Sequence, residues 1–303
     1  MLPANQRKSP LEGQVTGSHS RGEEALKQEI GRLGYSAITL NGVIGAGIFG
    51  LPAIAAARTG AFSPWMFPLC GALILTVVLS FARASSFFRN TGGPIVYASH
   101  AFGPFVGFQT GWILYLSRVA AMAANTNLLV TYAGWYWPRL NFGWTRAAGI
   151  IVVLVSLTAL NTIGVRRGMT TVYVLTFLKM LPLLLLVLLG LPHLGPELLT
   201  SAELPSPGTL GETILILLYA FVGFEGAVVP AGEGRNPRRD IPRALTSTVV
   251  TITLLYFLIQ AISFAVTPDL ASSETPLTDA AQSQQKYFCI HTVRAPNDLC
   301  TGP

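Results

Sequence analysis

The sequence predicts an all-α integral membrane protein with about seven transmembrane helices. Three observations carry that expectation. Of 303 residues, 51% are hydrophobic and 11% charged, less than half the roughly 25% charged that a soluble domain carries. No acidic residue occurs between Glu29 and Glu197, a stretch over which a globular domain could not stay soluble. Apolar runs near the ~20 residues that a membrane helix needs recur at 34–57, 62–83, 105–134, 145–164, 169–191, 210–231 and 243–267.

Residues 1–32 are polar and of mixed charge, and are expected to form a disordered tail with at most a short surface helix over Glu23–Arg32. Span one contains Asn41–Pro52, NGVIGAGIFGLP. Bare backbone is tolerated in hydrocarbon only where it lines a cavity or is buried in protein, so a break in this glycine-rich run marks a site. Residues 84–104 are too interrupted to span and are expected to form an interfacial turn and short helix. Span six carries a second interrupted run, Tyr219-Ala-Phe-Val-Gly-Phe-Glu-Gly226, with a carboxylate, Glu225, inside the membrane. Asn236-Pro237 and Ile241-Pro242 suggest a rigid turn after it. Residues 33–267 form the membrane domain; 268–303 begin as an extracytoplasmic loop and end in a polar tail.

Charge sets the expected orientation. Arg7, Lys8, Arg21, Lys27, Arg32, Arg83, Arg89, Arg166, Arg167, Arg235, Arg238, Arg239 and Arg243 fall on the N-terminal side, against Arg58, Arg139 and Arg146 on the other. The positive-inside rule makes the N-terminus cytoplasmic, in a multi-pass protein of the plasma (inner) membrane.

Several classes find no support. The net charge of +6 lies in short loops, not on a basic face with interleaved aromatics, so nucleic acid is not a partner. His19, His100, His193 and His291 share no metal-ligand spacing with each other or with Cys70, Cys289 and Cys300. Gly45-Ala-Gly-Ile-Phe-Gly50 matches the dinucleotide fingerprint, but that motif needs a preceding strand and an acid ~20 residues on. No cofactor and no catalytic cluster is indicated.

Two glycine-interrupted helices five spans apart are the pointer to inverted-repeat transporters. In this setting Ile44-Gly-Ala-Gly-Ile-Phe49, Gly92-Gly-Pro-Ile-Val-Tyr97, Asn161-Thr-Ile-Gly-Val165, Lys179-Met-Leu-Pro-Leu183, Phe221-Val-Gly-Phe-Glu225, Gly232-Glu-Gly-Arg-Asn-Pro237 and Ile241-Pro-Arg-Ala244 stand in order. Together they resemble the amino acid–polyamine–organocation (APC) permeases over about 33–282. Each motif is weak alone; the ordered set is specific for the family and not for the substrate. The resemblance implies the LeuT-like fold, two inverted five-helix repeats with helices one and six broken, and an amino acid bound between them.

On that basis Ile44, Gly45, Ala46 and Gly47 would turn the N–H groups of a half-helix toward the substrate carboxylate. Tyr219, Phe221, Val222 and Gly223 would offer carbonyls to its ammonium, with Tyr219 as a gating aromatic. The competing reading is that these small residues only let helices pack. A charge at mid-membrane costs about 2.5–3.5 kcal/mol on insertion scales, so Glu225 is paired, hydrated or protonated, and the family suggests a pH-sensing or gating role. Lys179 lies ~15 Å into span five. Either it snorkels, or its ammonium stands where sodium sits in sodium-coupled relatives, which favours protons as the coupling ion, or exchange. Arg118, in the middle of span three, either faces the site, repelling cationic substrates and so favouring neutral amino acids, or pairs with Glu225.

The family's second repeat stops here after its second helix, and Gln284–Pro303 has neither span nor family character. The expectation is therefore an incomplete fold: a truncated or frame-shifted permease, or alternatively a non-transporting truncated fragment or membrane partner subunit. A membrane enzyme has no residues to support it.

Overall fold

The computed structural model describes residues 30–88, 90–163, 168–195 and 203–288, and the regular structure among them is helical apart from one isolated parallel bridge, Ile30 with Gly234. The expected tail at 1–29, the residues Gly164–Arg167, and Cys289 and Cys300 lie outside the described residues.

The helices are α1 (Arg32–Val43), α2 (Ala46–Thr59), α3 (Ser63–Phe87), α4 (Pro94–Phe102), α5 (Pro104–Tyr136), α6 (Gly143–Ile163), α7 (Gly168–Gly190), α8 (Pro207–Leu217), α9 (Pro237–Val266) and α10 (Pro276–Phe288). Prolines at or next to the first helical position start α3, α4, α5, α8 and α9, where the missing N–H costs nothing. At α8 the Ser206 hydroxyl also accepts the Thr209 N–H at 3.3 Å, a side-chain N-cap.

Among the described residues, five apolar helical stretches are long enough to cross a membrane: Ala46–Phe87, Pro104–Tyr136, Met169–His193, Pro207–Val228 and Pro237–Val266, and the 21-residue α6 covers the expected run at 145–164 up to Ile163. The first two of the seven expected runs differ from these for a physical reason. The first run is split, leaving α1 with 12 residues, about 18 Å at 1.5 Å per residue. Its second half, α2, joins α3 through a short 3₁₀ turn at Gly60–Phe62. A second correction concerns Asn236–Pro242. This segment is not a turn but the start of α9, with Pro237 in its first turn and Pro242 inside it.

Helices α3 and α9 pack along their lengths, and Phe67 of α3 stacks edge-on against Tyr256 of α9, both fully buried. Residues 268–288 hold more order than a polar loop suggests. In α10, Leu277, Ala280 and Gln284 are buried, and Gln284 Nε2 donates to Leu186 O of α7 at 3.1 Å.

The end of the molecule where α1 begins is fastened to the start of α9. The Ile30 N–H donates to Glu233 O at 3.1 Å, the Arg235 N–H donates to Ile30 O at 3.0 Å, and the Tyr35 hydroxyl donates to Pro230 O at 3.3 Å. Gly234 allows this, because a Cβ there would fall on the Tyr35 hydroxyl. Gly234→Ala is expected to loosen the fastening and speed amide hydrogen exchange at residues 30–35 by about tenfold, a cost of ~1.4 kcal/mol. Unchanged exchange would mean that Tyr35 yields freely.

Candidate functional site

Both interrupted helices are broken where the glycine runs lie. In the first, α1 ends at Val43, Ile44 leaves helical geometry (φ −74°, ψ 89°), and Gly45 is extended before α2 starts at Ala46. In the second, α8 ends at Leu217 and gives way to 3₁₀ turns at Leu218–Phe221 and Phe224–Val228. Gly223 stands between these turns at φ +119°.

The breaks meet backbone to backbone. A Cβ on Gly42 would lie 2.6 Å from Gly223 O, and one on Gly47 would lie 2.6 Å from Ala220 Cα. Two of the glycines in the first run thus let α1 and α2 lie against the second break, as small residues do in membrane packing. Of the expected substrate-binding residues, Ile44 and Phe221 are in the core, Phe221 against the Tyr256 ring at 5.4 Å between centroids. Gly47 is buried against Ala220. Gly45 and Ala46 face α5, while Tyr219 and Val222 are part-exposed.

Lys179 does not reach for the surface. Its Nζ donates to Asn41 O at 3.1 Å and to Ile44 O at 3.2 Å. These carbonyls end α1, where the chain leaves acceptors without intrahelical donors and a negative dipole end. The Tyr256 hydroxyl donates to Val43 O at 3.3 Å beside them. Three carbonyls of the first break are therefore held by side chains of α7 and α9.

Of the two placements expected for Arg118, the geometry gives the ion pair. Its Nη2 donates to Glu225 Oε1 at 2.9 Å, and Glu225 Oε2 accepts the Gly223 N–H at 2.9 Å. The Glu225 side chain is 11% exposed and that of Arg118 50%. A carboxylate so held satisfies a donor freed by the second break and has its charge balanced from α5.

Asn125 is the residue that sequence reasoning missed. Its Oδ1 accepts the Ala46 N–H at 2.6 Å, the first N–H of α2. On α5, Arg118, Asn125, Leu128 and Tyr132 follow a 7-3-4 spacing that keeps them on one face of the helix, a seam toward the two breaks and α2. Leu128 lies against Gly50, and the Tyr132 hydroxyl donates to Phe49 O at 2.6 Å. The signal was present as a polar residue seven positions beyond Arg118 in an apolar run.

A cavity of about 660 Å³ adjoins this seam, lined by Gly50, Ala53 and Ala57 of α2, Thr131 of α5, Arg146 of α6 and Glu274. It lies toward the end of the molecule opposite the Ile30–Gly234 fastening. At that end Arg58 pairs with Glu212 at 2.9 Å. Among the described residues no group of three or more His, Cys, Asp or Glu could hold a metal.

The family model for amino acid permeases matches residues 30–286. The serine/threonine exchanger SteT of Bacillus subtilis is 30% identical over 261 residues, covering 83% of this chain and 57% of that protein. The branched-chain amino acid permease BcaP of the same species is 24% identical over 283 residues, covering 86% and 60%. The L-methionine/branched-chain amino acid exporter YjeH of Escherichia coli is 26% identical over 237 residues, covering 77% and 55%. The chain thus spans somewhat over half the length of these relatives. With two broken helices in the places its glycine runs foretold, and a match across most of its length, this multi-pass membrane protein belongs to the amino acid permease family of the APC superfamily.

Proposed function

We propose that the chain is an amino acid permease, a secondary active transporter whose substrate lies between the two breaks. The observation that carries this is the apposition of Gly42 with Gly223 and Gly47 with Ala220. It brings the positive start of α2 and the carbonyls of the second break into one place. The N-terminus is cytoplasmic on charge grounds, the membrane is the plasma membrane, and the fastening at Ile30 then closes the cytoplasmic side. The substrate is a neutral amino acid. Glu225 is engaged by Arg118 and by the Gly223 N–H, so it is not available to a cationic side chain. This replaces the sequence argument from an unpaired Arg118.

Coupling is to protons, or the protein exchanges substrates, with Lys179, Glu225 and Arg118 as the charged residues involved. What supports this is the Lys179 ammonium on the end of α1, a fixed cation where the family resemblance puts the coupling cation of sodium-driven relatives. Lys179→Ala is expected to abolish the pH dependence of uptake; a pH profile like the wild type's would remove Lys179 from coupling. The overall reading is tested with radiolabelled serine, threonine, leucine and methionine in proteoliposomes. A flat signal for every substrate and pH gradient would refute it.

One observation favours a second reading. The first two-thirds of α5 is largely exposed, Gln109 included, while Arg118 and Asn125 reach across to Glu225 and Ala46. Polar groups in a membrane helix generally face protein or water rather than lipid. On this reading the chain assembles with a second membrane polypeptide that covers α5. Co-purification of a stoichiometric partner, with no uptake by the chain alone, would support it.

A further inference from the structure

We infer that Asn125 is a built-in placeholder for the substrate carboxylate, and so a determinant of affinity. The inference rests on the proposed substrate site and adds a competitor within it. A carboxylate arriving at the start of α2 needs the first free N–H groups of that helix. The Ala46 N–H is already taken, because Asn125 Oδ1 accepts it at 2.6 Å. The acceptor is an amide oxygen, neutral and weaker than a carboxylate. It comes from a side chain on the exposed flank of α5, able to swing away without unpacking a core.

The second break repeats the device with a stronger acceptor, Glu225 Oε2 on the Gly223 N–H at 2.9 Å, held from behind by Arg118. The two acceptors differ in what can displace them. A substrate carboxylate exchanges readily with the Asn125 amide, but not with an ion-paired carboxylate. The asymmetry directs the substrate's acid group to the first break.

Removing the placeholder therefore strengthens binding instead of weakening it. The test uses the full chain in nanodiscs and equilibrium binding of radiolabelled serine and leucine, each paired with its carboxamide. Asn125→Ala is expected to tighten binding of the amino acids about threefold to tenfold, the worth of one net hydrogen bond, and to leave the carboxamides within twofold. Asn125→Asp installs a charged competitor and is expected to weaken amino acid binding at least tenfold. Amide exchange at Ala46, measured without ligand, is expected to rise in Asn125→Ala alone.

Amino acid binding by Asn125→Ala where the wild type shows none would support the inference in its strongest form. Weaker binding by Asn125→Ala, or an equal change for acid and carboxamide, would overturn it while leaving the substrate site in place. Absence of binding in all three proteins would overturn the site and the placeholder together. Unchanged exchange at Ala46 would overturn the hydrogen bond itself.

Discussion

Replacing Gly223 with alanine is expected to cost about 2–5 kcal/mol and to lower the thermal midpoint and the yield of folded protein in detergent. Two terms add. An L-residue forced into left-handed backbone costs roughly 1–2 kcal/mol, and Gly223 sits at φ +119°. Its Cβ would also strike the Gly42 carbonyl oxygen, and overpacking of that kind costs typically 1–3 kcal/mol. The neighbour is backbone, so no side chain can rotate away. Against a native stability of roughly 5–15 kcal/mol, the sum is enough to shift the folding balance. Thermal unfolding followed by size-exclusion chromatography reads it. A Gly223→Ala protein within ~1 kcal/mol of wild type would show that the breaks do not need this contact.

The second large effect is expected at the Arg118–Glu225 pair. Removing one member of a buried pair costs about 3–5 kcal/mol because the other charge is left behind. The Arg118 side chain is 50% exposed, so solvent or lipid headgroups relieve part of that cost, and about 1–3 kcal/mol is expected for Arg118→Ala or Glu225→Gln alone. The double variant is expected to cost less than the sum by at least ~1 kcal/mol. Additivity within ~0.5 kcal/mol would mean that the two charges are neighbours without being partners. Arg118→Ala is expected to be the worse single change. It strands an ion, Glu225, where Glu225→Gln still leaves an amide oxygen to accept the Gly223 N–H.

What the sequence made legible follows the physics of the bilayer. Helix positions and the two breaks were readable because hydrocarbon forces every backbone group to be satisfied, so apolar length and glycine clustering speak directly. The anomalous charges stood out in their apolar runs, with snorkelling open for Lys179 and two placements open for Arg118; these two and Glu225 all touch a break. What stayed hidden were relations between distant residues. That Gly42 and Gly47 serve packing against Gly223 and Ala220 is invisible in one dimension, because a glycine for packing and a glycine for a ligand are the same letter. Asn125 was passed over because a single amide costs far less in a membrane than a charge. The start of α9 was misread because Pro237 and Pro242 suggest a turn unless the first helical position is known.

Arg118 and Asn125 stand seven residues apart on α5. Seven residues turn an α-helix to within ~20° of two full revolutions and advance it about 10.5 Å. The helix is thus a ruler with a mark on each break. Rotation about its own axis takes both marks off together, whereas tilting lifts one and leaves the other as a pivot. While both hydrogen bonds hold, at 2.6 and 2.9 Å, α5 ties Ala46 to Glu225 as a single rod.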